Sequence, residues 1–192
     1  MLIEIEKTPN PATRKFMPGR KVMESGGRDF PNADSAEASP LAEALFATGQ
    51  IDGVYFGRDF VSVSAAPTVE WEALEPDVLS IMLDHFLLDA PLFKPGTAAG
   101  IEVAPEGHPS FDDNPADADV IEQIKELIET RVRPAVAQDG GDIVYRGFRD
   151  GTLYLGMQGA CSGCPSSTIT LKRGIEGLIK HYVPEVETVE AV

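Results

Sequence analysis

Basic side chains are scarce. Lysine and arginine number 16 against 31 aspartates and glutamates, a formal charge of −15 over 192 residues. A protein that follows a phosphate backbone needs clustered positive charge, so this balance excludes nucleic acid as a partner. It also disfavours docking to anionic membranes. No apolar run reaches the roughly 18 residues that a membrane-spanning helix needs. A Gly-rich phosphate loop, a Ser/His/Asp set and a supported pair of catalytic carboxylates are all missing. Cysteine is nearly as rare as tryptophan, with two against one. Two cysteines in one short stretch cannot form the disulfide framework of a small secreted domain. The chain opens on Leu2-Ile3-Glu4-Ile5-Glu6, which reads as a strand rather than a basic-and-apolar leader, and no Arg/Ser-rich transit segment follows. The expected location is therefore a reducing, bacterial-type cytoplasm.

Hydrophobic residues make up 43% of the chain, enough for a proper core. The composition changes near residue 91. Pro91, Pro95, Gly96, Gly100, Pro105, Gly107, Pro109 and Pro115 follow in quick succession, with Asp112, Asp113 and Asp117 among them. Such a stretch buries too little apolar surface to offset its chain entropy. The expected organisation is a first domain at 1–93, a flexible acidic linker at 94–118 and a second domain at 119–192. The charge divides unevenly, at −8 over residues 1–93, −5 over 94–119 and −2 over 120–192. The second domain is close to neutral, so two copies can approach without strong repulsion. The acidic remainder would extend the linker and favour basic partner surfaces.

In the first domain, Ser39-Pro40 is an N-cap followed by a proline suited to the first helical position, and Gly49 can close that helix. Ile51 to Phe56 and Phe60 to Ser64 read as strands. Trp71, Leu74, Val78, Met82 and Phe86 recur at helical spacing, with Pro76 expected to start or kink the helix. In the second domain, Asp119 can cap a helix whose stripe is Val120, Ile124, Leu127, Ile128, Val132 and Val136, with Pro134 perturbing its last turns. Ile143 to Phe148 and Thr152 to Met157 flank Asp150-Gly151, a strong hairpin signal. A helix from about Pro165 to Tyr182 and a strand from Val186 to Val192 complete an α-β-β-α-β order. The fold class is α+β: two small domains of α/β-sandwich type joined by a linker.

The chemistry is expected in Gly159-Ala160-Cys161-Ser162-Gly163-Cys164-Pro165. The glycines allow a tight open loop, and Cys164 falls at the N-cap of the next helix, where partial positive charge favours thiolate. This gives an exposed pair of soft anionic ligands, with three readings. Zinc and iron–sulfur clusters want about four ligands. This chain offers two sulfurs, and neither His85, His108 nor His181 completes a set, so the remaining ligands would come from a second copy. Thiol–disulfide exchange suits a C-x-x-C at a helix start, although no βαβ unit is present. Chance placement is the third reading.

Other features carry plainer readings. Asp139-Gly140-Gly141-Asp142 is either a helix C-cap, which is favoured, or a loop supporting the cysteines. Thr8-Pro9-Asn10-Pro11 is either a rigid turn, which is favoured, or a partner-recognition loop. Lys172 and Arg173 read as a solvated helix face, and His85, Trp71 and Phe86 as core or core edge.

The second domain resembles the C-terminal domain of the NifU-like (Nfu) iron–sulfur cluster proteins. The resemblance is carried by Arg133-Pro134, Asp139-Gly140-Gly141-Asp142, Gly159-Ala160-Cys161, Cys164-Pro165, Ser167, Thr170-Leu171-Lys172 and Gly174-Ile175-Glu176. The first domain is similar to that family's N-terminal Nfu domain through Thr8-Pro9-Asn10-Pro11, Lys15-Phe16, Pro18-Gly19, Ser39-Pro40-Leu41-Ala42, Leu45-Phe46, Gly53-Val54, Phe56-Gly57, Asp59-Phe60 and Trp71. The resemblance implies a scaffold or carrier and not an enzyme. It implies a [4Fe–4S] cluster bridging a homodimer, with Cys161 and Cys164 of each subunit as ligands. The implied partners are a second copy, cluster-assembly proteins and apo iron–sulfur clients, recognised by the first domain. A thiol–disulfide oxidoreductase and a zinc-bridged dimer are the alternatives.

Overall fold

Hydrophobic alternation and turn chemistry build two sheets, each inside its own part of the chain. The computed structural model describes residues 2–97, 113–162 and 165–192, with no side-chain description at 165–168. The chain divides into compact units at Met1–Val103 and Ala104–Val192. The centre of the expected linker, residues 98–112, lies outside the described residues.

The first unit contains β1 (Glu4–Lys7), β2 (Thr13–Met17), β3 (Arg28–Phe30), α1 (Ala33–Ala36), α2 (Pro40–Phe46), β4 (Ile51–Phe56), β5 (Val61–Ala65) and α3 (Trp71–Leu87). The strands form an antiparallel sheet in the order β1-β2-β5-β4-β3. Phe16, Phe30, Val54, Phe56, Val61 and Val63 share one core with Leu41, Leu45, Leu74, Val78 and Met82. Each fully buried Leu or Phe contributes about 1.5–3 kcal/mol. Ser39 Oγ accepts from the Ala42 amide at 3.3 Å, capping α2 as expected. The α3 stripe is buried as read, but the helix begins at Trp71, so Pro76 sits inside it. β2 and β3 escape the sequence pattern because one carries Arg14 and Lys15 and the other has only three residues. Lys94, expected in the linker, donates its amide to Ala38 O at 2.9 Å and pairs with Glu43. Lys94 is thus tied back to α2 by an ion pair and to Ala38, just ahead of that helix, by a hydrogen bond.

In the second unit a 3₁₀ turn (Pro115–Asp117) leads into α4 (Ala118–Leu127), a π turn (Ile128–Val132) and α5 (Arg133–Gln138). β6 (Gly141–Arg149), β7 (Thr152–Gly159), α6 (Pro165–Tyr182) and β8 (Thr188–Ala191) follow. Asn114 caps the 3₁₀ turn through the Ala116 amide, and Asp119 lies within the first turn of α4 instead of capping it. Pro134 has no N–H to donate, and the preceding turn widens so that the Arg133 amide reaches Ile128 O. Asp150 and Gly151 both take positive φ, +49° and +75°, as a two-residue hairpin of this hand requires. β7 pairs antiparallel with β6 and parallel with β8. Ile124, Ile128, Val132, Val136, Ile143, Leu153, Leu155, Ile175, Ile179 and Val189 form the core beneath this sheet.

Candidate metal centre

Both long strands run further than alternation suggests, and this extension makes the site. Gly141 pairs with Gly159 at the end of the β6–β7 ladder, laying the Asp139–Asp142 loop beside the turn that carries Cys161. The Ala160 amide donates to Gly140 O at 3.1 Å. The Cys161 amide donates to Gln158 O at 3.4 Å, and Ser162 donates both its amide and its hydroxyl to Gly159 O, at 3.1 and 2.9 Å. Cys161 is therefore held by backbone from two directions.

Gly140 takes φ +78° and donates to Ala137 O at 3.1 Å, closing α5 as the C-cap reading requires. The loop does more than cap. A Cβ at Gly141 would overlap Cys161 Sγ and stand 3.0 Å from Gln158 O, so only glycine leaves room for the thiol. Next to it, Asp142 is 5% exposed. Its carboxylate accepts from Arg133 in bidentate fashion, Nε to Oδ1 at 2.9 Å and Nη2 to Oδ2 at 2.6 Å, and Oδ1 also accepts from the Ile143 amide. Arg133 further donates to Glu129 at 2.7 Å. The π turn before Pro134 thus sets a guanidinium that pins the loop packed on the cysteine. The sequence shows these residues as a motif, but nothing in it shows that they meet.

The expected exposed thiolate pair is corrected at Cys161. Its side chain joins the hydrophobic core, at 5% exposure. Burial, and then the charges of Asp139 and Asp142, push its thiol up to about 12. Cys164, with the helix N-cap position assigned to it, lies outside the described residues, as does His108. His85 is a buried residue of α3 in the first unit, and burial, then Arg20, lowers its pKa. His181 is exposed near the far end of α6 and stacks edge-on with Tyr182. Among the described residues no three His, Cys, Asp or Glu side chains converge on a point. A buried neutral thiol becomes a good ligand when a cation supplies the compensating charge and its proton leaves.

Lys172 pairs with Glu190 at 3.3 Å, in keeping with a solvated helix face, while Arg173 is exposed. Thr8-Pro9-Asn10-Pro11 bonds to itself: Thr8 Oγ1 donates to Asn10 O at 2.8 Å, and Asn10 Oδ1 accepts from the Ala12 amide at 3.0 Å. That is the rigid turn.

Two family descriptions match the chain, a scaffold protein Nfu/NifU N-terminal domain over residues 3–88 and a NifU-like domain over 124–190. The chain is 46% identical over 192 residues to "NifU-like protein 5, mitochondrial" of Arabidopsis thaliana, covering 99% of this chain and 67% of that protein. It is 42% identical over 193 residues to "NFU1 iron-sulfur cluster scaffold homolog, mitochondrial" of Homo sapiens, covering 100% and 72%. The homologue of the same name in Drosophila erecta is 42% identical, with 65% of its length covered. The chain spans about two thirds of the length of the curated relatives it matches. A solved NifU-like protein from Saccharomyces cerevisiae superposes with a TM-score of 0.45 at 19% identity, over 50% of this chain and 86% of that one. The expected bacterial-type cytoplasm is overturned by these relatives, which are all named mitochondrial. A reduced cysteine pair suits any reducing compartment, so the thiols themselves never distinguished the two.

Proposed function

Since the chain belongs to the NifU-like scaffold-protein family, we propose that it binds a [4Fe–4S] cluster between two copies of itself and passes the cluster to apo-proteins. Cys161 and Cys164 of each copy are the ligands in this reading. The observation that carries it is the seat of Cys161: a thiol against Gly141, in a loop pinned by the Arg133–Asp142 pair. A chain with two cysteines reaches the four thiolates of a cubane cluster only by pairing with a second chain.

The cluster is cargo, so the chain's task is to hold it firmly enough to carry and loosely enough to release. Ligands shared across a subunit boundary suit this, because an incoming client thiolate can displace one sulfur at a time. No step in this scheme requires enzyme chemistry. The first unit serves as the surface for clients and assembly partners, in the mitochondrial setting its relatives' names indicate. The alternative, thiol–disulfide exchange, needs a ready thiolate, and the raised pKa of Cys161 works against it.

Anaerobic reconstitution with iron and sulfide tests the proposal. The expected result is a brown protein with about four irons per dimer, and loss of that iron in Cys161→Ser and Cys164→Ser. A colourless protein that reduces insulin disulfides would sink it.

A further inference from the structure

The three-stranded sheet of the second unit has β6 at one edge, since the strand order is β6-β7-β8. An edge strand offers unpaired backbone groups to any other strand, and proteins guard such edges. Arg149 and Thr152 flank the two-residue turn as a hydrogen-bonded pair, so the next pair, Phe148 and Leu153, is of the other kind. The Phe148 amide consequently points away from β7. It does not stay open: Asp113 Oδ1 accepts from it at 3.1 Å.

Asp113 lies before α4, in the stretch whose composition reads as linker. The same oxygen accepts from the Tyr145 hydroxyl at 2.6 Å, and the other lies 3.9 Å from Lys125 Nζ. Lys125 Nζ in turn sits 4.6 Å from the centre of the Tyr145 ring. A residue from the end of the linker is therefore gripped by strand backbone, strand side chain and helix. Further along the same edge, the Ile143 amide is covered by the Asp142 carboxylate. The two carboxylates thus each take one amide of this edge, on either side of the irregularity between Tyr145 and Gly147.

We infer that Asp113 is a strap that closes the free edge of β6 against strand pairing with a second copy of this chain. The strap leaves the cysteine end as the place where copies meet, and makes residue 113 the fixed point from which the linker departs. Self-association through β6 would consume the same protein that the cluster-bridged dimer requires, so the strap keeps the two apart. This inference concerns the metal-free chain and stands whether or not a cluster is bound.

The test uses the full-length, metal-free chain and its Asp113→Ala and Tyr145→Phe variants. Amide exchange read by NMR should be about tenfold faster at Phe148 in Asp113→Ala, with little change at Leu155 in the centre of the sheet. Sedimentation should show concentration-dependent association of Asp113→Ala where the parent does not associate. Tyr145→Phe keeps the backbone bond and should show a smaller increase in exchange. If Asp113→Ala fails to fold, Tyr145→Phe still decides: unchanged Phe148 exchange there and a monomer at every concentration overturn the strap. Faster Phe148 exchange in Asp113→Ala without association overturns the guarding role.

Discussion

The Sγ of Cys161 occupies the space in which a side chain at position 141 would begin. Two residues 20 positions apart thus share one site, and the glycine is the seat of the thiol rather than only part of a turn.

Replacing Gly141 with alanine should therefore displace Cys161 and lower stability by about 1–3 kcal/mol through overpacking. The neighbours that must yield include the Gln158 carbonyl, which is backbone and cannot swing aside. Thermal melting and iron content should fall together. Gly174→Ala is the control: it lies inside α6 with open space around it, and should stabilise the helix by about 0.5–1 kcal/mol.

The Cys161 thiol should react slowly. With its pKa pushed up to about 12, it should be alkylated by iodoacetamide at pH 8 at least about a hundredfold more slowly than a free thiol. Site-resolved mass spectrometry measures this. Because the folded value exceeds the unfolded one, Cys161 contributes stability below the ordinary thiol pKa of about 8.5, and that contribution is lost as pH rises toward about 12. Metal loading must release the proton, so iron binding should strengthen as pH rises through the neutral range.

Asp142→Asn and Arg133→Met should move Cys161 in opposite directions. The first removes an anion beside the thiol and should speed its alkylation. The second leaves the Asp142 carboxylate buried and unbalanced and should slow it. Arg133→Met should also cost more stability, about 3 kcal/mol against about 1–2 kcal/mol, since it strands a charge rather than neutralising one. Equal alkylation rates in the two variants would show that the pair does not act on the cysteine electrostatically.

Acid should weaken the first unit through His85. Burial, followed by Arg20, lowers its pKa, so the unfolded chain takes up the proton more readily. Stability is full above the unfolded value of about 6.5 and falls as pH drops through it. Trp71, the single tryptophan, reports on this unit by fluorescence. In His85→Gln the melting temperature should vary less between pH 7 and pH 5.

Where a local pattern decides an element, the sequence is readable. Trp71, Leu74, Val78, Met82 and Phe86 are buried along α3, and Asp150-Gly151 turns the hairpin. Ser39 caps α2 for the same local reason. The misses are non-local. β2 is polar in sequence, and it is placed by pairing with β1 and β5, which no local pattern encodes. Gly141 and Gly159 look like loop but pair across the sheet, since glycine carries no pattern. The burial of Cys161 depends on the Asp139–Asp142 loop coming to rest against it, which C-x-x-C spacing does not encode. Asp113 reads as linker by composition, yet it finds its partner 35 residues on, at Phe148.

The parallel pairing of β8 with β7 sets an order in time. Val189 belongs to the same core as Cys161 and reaches it only after the whole of α6 has been made. On a ribosome, Cys161 emerges well before the strand that completes the core around it. A nascent chain therefore shows the Cys161 thiol before it can seat it, and burial of that thiol waits on finished folding rather than on synthesis of the motif.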